Sequence, residues 1–123
     1  MNRLSSLPIE RALQVIGGRW KLFIVFHLLE RAQRPGRLER LIPGISQKVL
    51  LQQLRELEEH GLVSKTIFAE SPVRVEYALT PLGETVAPVI DMLHRWGIEQ
   101  SRAVGELHRL TLCDNSLDVS SAQ

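Results

Sequence analysis

The chain has 123 residues, 44% hydrophobic and 24% charged, with a formal net charge of +1. That length suits one domain with a modest core, and the longest apolar run, Leu22 to Leu29 broken by His27, is far short of the roughly 18 residues that a membrane span needs. Met1 to Leu7 lack a charged-then-apolar leader, and a single cysteine, Cys113, excludes an internal disulfide or a cysteine-based zinc site; a cytoplasmic protein with no membrane partner is expected.

Pro8 to Ile16 reads as a first helix, because Pro8 suits a first helical position and Ile9, Ala12, Leu13 and Ile16 recur at helical spacing. Gly17-Gly18 ends it. Arg19 to Arg31 is a second helix, apolar nearly all round and therefore buried on most sides. Ala32 to Gly36 is expected to be a loop, Arg37 to Ile42 a short helix, and Pro43-Gly44 a tight turn. Ser46 is a good N-cap for the helix that follows, in which Leu50, Leu54 and Leu57 share one face and Gly61 suits a left-handed C-terminal position.

The period then changes from helical to alternating. Val63 to Phe68 and Val73 to Leu79 flank the polar turn Ala69 to Pro72, which predicts a β-hairpin. Thr80-Pro81 opens a further helix carrying Val86, Val89, Ile90, Leu93 and Gly97 on one stripe, with Pro88 inside it expected to produce a kink. A last helical segment covers about 98–110, interrupted by Gly105, and 112–123 reads as a frayed tail beyond a domain spanning 1–111.

A short helix, a Pro-Gly turn and a longer helix make a helix-turn-helix, and the hairpin after it makes a winged version, so the fold class is mostly α with a small β-hairpin. In such modules the early residues of the second helix read base edges in the major groove of double-stranded DNA. The charges of that helix run against the helix dipole: Lys48 stands early, and Glu56, Glu58 and Glu59 crowd the end. Opposite its leucines lie Lys48, Leu51, Gln52, Arg55 and Glu59, with Gln47 at the start. Cations suit guanine, glutamine suits adenine, and an apolar group suits the thymine methyl. Lys48 near a helix start costs roughly 0.3–1 kcal/mol in the free helix, which a phosphate or base contact would offset. From Arg31 to Arg55 six cations face one acid, Glu39, a local excess of +5 within a chain of net +1; such asymmetry is the footprint of a nucleic-acid binder. Arg74 and Lys65 extend the charge onto the hairpin, where a wing meets backbone or minor groove.

The segments PIERALQVIGGRWKLFIVFHLL, IPGISQKVLLQQLRELEEHGLV and PVRVEYALTPLGETVAPVIDMLHRWG resemble the HxlR-type transcriptional regulators, winged-helix relatives of the MarR group, over roughly Pro8 to Gly97. The resemblance implies a homodimer that joins through its N-terminal segment and its long C-terminal helix and binds an inverted repeat near a promoter. It places Ser46, Gln47, Lys48, Gln52 and Arg55 on the recognition helix and Arg74 in the wing motif. Leu7, Ile9, Trp20, Val89, Leu93 and Trp96 are the expected dimer contacts. Many members carry a cysteine just before the proline of the first helix, and some use it to sense electrophiles or oxidants; here that position is Leu7, which excludes thiol sensing there. Where the family commonly has an aromatic residue and a small polar cap, this chain has Pro35-Gly36, so the first helix of the pair is expected to begin differently and Arg37 to add a phosphate contact.

Other readings are weaker. His27, His60, His94 and His108 lack metal-ligand spacing with carboxylates, and Gly17-Gly18 lacks the strand-before, helix-after setting of a dinucleotide loop. Cys113 beside Asp114 is in no setting that favours a thiolate. Trp20, Trp96 and Tyr77 suit core or dimer contacts better than a ligand box, although a small-molecule effector between subunits is compatible with them. No nucleophile–base pair or phosphate loop supports an enzyme, and no cofactor is implied. The alternative to DNA binding is a winged helix whose basic face docks an acidic protein partner.

Overall fold

The computed structural model describes residues 3–111, so Cys113 and the expected tail lie outside the described residues. The chain divides into two compact units, the first ending at Val86 and the second beginning at Ala87.

The first unit holds five helices and one hairpin: α1 (Pro8–Ile16), α2 (Lys21–Glu30), α3 (Pro35–Leu41), α4 (Gln47–Glu59), β1 (Val63–Phe68), β2 (Arg74–Leu79) and α5 (Pro81–Glu84). Its core is Ile24, Val25 and Leu28 of α2, Leu38 of α3, Ile42 and Ile45 around the turn, and Leu50, Leu54 and Leu57 of α4, closed by Leu62, Val63 and Tyr77. The three α4 leucines are wholly buried, each contributing about 1.5–3 kcal/mol by removal from water. The mostly α fold with a winged helix-turn-helix is therefore as the periodicity predicts.

The caps explain where α4 starts and stops. Ser46 Oγ accepts the Val49 amide at 3.1 Å, a cap worth about 1 kcal/mol. At the other end Gly61, at φ +84°, lets the Leu62 amide reach back to the Leu57 carbonyl at 2.9 Å. Thr80 caps α5 by accepting the Gly83 amide at 3.0 Å.

Three expectations are corrected. Pro35 and Gly36 are not loop: they form the first turn of α3, where a proline loses no helical hydrogen bond. Pro88 does not kink a continuous helix. The chain leaves α5 after Glu84, turns through Thr85-Val86 and restarts, so that Pro88 stands in the first turn of α6 (Ala87–Ala103). Gly105, at φ +76°, does not interrupt a helix over 98–110; it follows the end of α6, before a single 3-10 turn, Leu107–Arg109.

β1 and β2 pair antiparallel, with Val63 opposite Leu79, Lys65 opposite Tyr77 and Phe68 opposite Arg74. Outside that ladder, Gln33 bridges to β2, exchanging two backbone bonds with Tyr77 at 2.9 and 2.8 Å. The second unit is α6 with its terminal turn. Val89, Met92, Leu93 and Trp96 make an exposed apolar stripe along α6. Among the described residues no single helix is long and apolar enough to cross a membrane.

Candidate nucleic-acid interface

Because Leu50, Leu54 and Leu57 anchor one side of α4, the opposite side is turned outward. Gln47, Lys48, Gln52 and Arg55 are exposed there, with Leu51 among them at 36% exposure. The first turn of α4 contains no acid. Neither Lys48 nor Arg55 has an ion-pair partner among the described residues. Ser46 is also exposed, its oxygen engaged by the Val49 amide. Arg37 is exposed on α3, flanked by exposed Arg34 and Arg40. Lys65 is exposed on β1.

Arg74 stands differently from the other cations. Its side chain is 22% exposed and ion-pairs with both Glu70 and Glu76, and its guanidinium carbon lies 3.8 Å from the centre of the Phe68 ring. Hydrogen bonding to Glu70 and Glu76 pushes the guanidinium pKa further up, while the bond from Arg74 holds the Glu70 carboxyl below its ordinary range.

Part of the reversed charge order of α4 has an intramolecular cause that sequence reasoning missed. Lys21, in the first turn of α2, is only 6% exposed, and its Nζ meets Glu56 Oε1 at 2.6 Å. One late glutamate of α4 is thus committed to neutralising a buried cation rather than projecting outward. A lysine inside an otherwise apolar helix requires a nearby acid, so Lys21 was the available signal. Glu58 and Glu59 are exposed. Tyr77 has its phenol pKa raised by burial first and by Glu58 second, with Arg55 opposing.

The expected dimer contacts divide. Leu7, Ile9, Val89, Leu93 and Trp96 are all large exposed apolar groups, and Leu13, Phe23 and Met92, which sequence reasoning did not single out, join them. α1 buries none of its residues. Trp20 is half-buried instead, close enough to the Pro43-Gly44 turn that a Cβ at Gly44 would meet its ring at 3.7 Å, and Arg19 stacks on it at 4.4 Å. Among the described residues no cluster of histidine, cysteine, aspartate and glutamate is placed to hold a metal ion.

Comparison with known proteins agrees with this architecture. A family model described as HxlR-like helix-turn-helix matches residues 15–104. YkvN of Bacillus subtilis, an HTH-type transcriptional regulator, is 43% identical over 104 residues, 82% of this chain and 88% of that protein. YtcD of the same organism, also an HTH-type regulator, is 42% identical over 92 residues, 75% of this chain and 73% of its own. The solved structure of the redox regulator HypR in its reduced form superposes with a TM-score of 0.73 at 39% identity, covering 80% of this chain and 97% of that one. Such proteins are regulators of transcription, not enzymes. The chain belongs to the HxlR-like helix-turn-helix family of transcriptional regulators.

Proposed function

We propose that the chain acts as a homodimer on an inverted-repeat site in double-stranded DNA, with α4 in the major groove and the β1–β2 hairpin as a wing on the flanking backbone. One observation carries this reading: the outward side of α4 is acid-free over its first turns and presents Gln47, Lys48, Leu51, Gln52 and Arg55. That set offers amide, cationic and apolar groups, the chemistry that reads base edges. Ser46, Arg37 and Lys65 supply further polar and cationic contacts around it, and Arg74 supplies the wing. The exposed apolar groups of α1 and of α6 support the second subunit, since unpaired apolar stripes of this kind mark association surfaces. The apolar groove of Pro88, Val89, Met92, Leu93 and Trp96 also suits an uncharged effector.

The test is DNA binding as a function of salt. Affinity for a promoter fragment falls steeply with salt, and Lys48→Ala lowers the log–log slope by about 0.9 for one lost phosphate contact. Replacing Gln52 or Arg55 by Ala costs roughly 1–3 kcal/mol and relaxes preference at one base position. Binding that is indifferent to salt, with no retardation of any upstream fragment, would refute the reading. It would leave the docking of an acidic protein as the use of this face.

A further inference from the structure

One acid on the hairpin stands where a basic surface would receive an anion. Glu70 lies in the turn between β1 and β2, with 53% of its side chain exposed. Its carboxylate accepts two bonds from the Arg74 guanidinium, from Nη2 at 2.8 Å and from Nε at 3.3 Å. This two-pronged approach is the one a guanidinium offers equally to carboxylate and to phosphate. Glu76, on strand β2, accepts the remaining contact from Nη1, and the Phe68 ring supports the guanidinium face. The arginine is therefore held in place by groups other than Glu70. Arg34, on the loop before α3, adds a weaker pull on the same carboxylate, which is held below its usual pKa mainly by the Arg74 hydrogen bond.

We infer that Glu70 occupies a phosphate seat: its carboxylate fills, in the free protein, the position beside Arg74 that a DNA backbone phosphate takes when the wing docks. This rests on the DNA-binding reading above and adds to it a residue that limits affinity. The exchange swaps one anion for another. Glu70 is the partner that leaves, because it is on the turn and half open to water, whereas Glu76 and Phe68 belong to the strands and keep the guanidinium aimed. Arg74 is then preorganised for phosphate, and Glu70 sets how strong that phosphate must be as a competitor.

The experiment measures binding of the full chain to a labelled random-sequence duplex across a salt series, for wild type, Glu70→Gln, Arg74→Gln, the double variant and Glu39→Gln. Glu39, exposed on α3, controls for an equal change in net charge. Glu70→Gln is expected to bind about three- to tenfold tighter at ~0.1 M salt, the effect of roughly one neutralised phosphate. Glu39→Gln gains less, and the Glu70→Gln gain disappears when Arg74 is also replaced. Thermal melts verify that each variant is folded. As a readout without any variant, the Arg74 Nε–H resonance of the wild type shifts when the duplex is added. An unmoved resonance, a Glu70→Gln gain that persists without Arg74, or no gain in a folded Glu70→Gln overturns the seat while leaving salt-dependent wild-type binding intact. A wild type that shows no salt-dependent binding overturns the DNA reading and the seat together.

Discussion

Lys21 and Glu56 show how a single buried charge orders its surroundings. The ammonium group is almost wholly enclosed while Glu56 keeps part of its surface in water. Removing the carboxylate alone strands the cation, so Glu56→Gln is expected to destabilise the protein by roughly 2–3 kcal/mol, below the ~3–5 of fully buried pairs because Glu56 retains solvent. Lys21→Met removes the cation itself and should cost less; urea melts of the two variants check the order. His27 supplies a pH-dependent term. Burial lowers its pKa below the ordinary value of about 6.5, with Glu30 partly opposing. The unfolded chain therefore binds a proton at a pH where the folded one does not. Stability from this residue is fully present above about 6.5 and is lost as pH falls through the lowered folded value. Urea melts between about pH 8 and pH 5 should show that decline, and His27→Gln should flatten it. Neither residue was assigned this part from sequence, because a lone lysine or histidine in an apolar run does not reveal its partner thirty-five positions away or its depth.

At the scale of elements, the signals that worked were local. The Ser46 cap, the Gly61 stop, the leucine face of α4 and the Thr80-Pro81 start each depend on neighbours within one or two turns, and each is present in the structure. Two of the three misreadings concern prolines, whose meaning depends on what precedes them; the third, Gly105, follows the end of a helix rather than interrupting one. Pro35 and Pro88 both open helices rather than ending or bending them. The Gln33–Tyr77 link was hidden for another reason. It is a two-bond bridge between residues far apart in sequence, with no alternating run on the Gln33 side to announce it. The outward face of α4 was legible because burial of its three leucines fixes the helix rotation. The clasp around Arg74 was not, since it requires the hairpin turn to bring Glu70 back onto the strand.

For the whole molecule, the decisive question is what covers the bare apolar groups. Leu93 is 48% exposed, so an acid there should leave the protomer folded while opposing a second copy. On the proposed homodimer, Leu93→Glu is expected to sediment as a monomer and to lose roughly 10²-fold or more in affinity for a two-half-site duplex, the advantage of linked binding. A variant that stays dimeric would place the interface elsewhere. The Thr80 hydroxyl sets a mechanical limit on the rest. It receives the Gly83 amide and donates to the Gly61 carbonyl, joining the exit of the hairpin to the end of α4 through one oxygen atom. The base of the wing is thereby geared to the helix that it follows and cannot swing as a free flap. If the wing docks on DNA as proposed, its compliance on a bent or narrowed duplex is expected at the far end of the hairpin, beyond the last rung, Phe68 opposite Arg74, where the Glu70 amide on the Phe68 carbonyl and the clasp around Arg74 hold the turn.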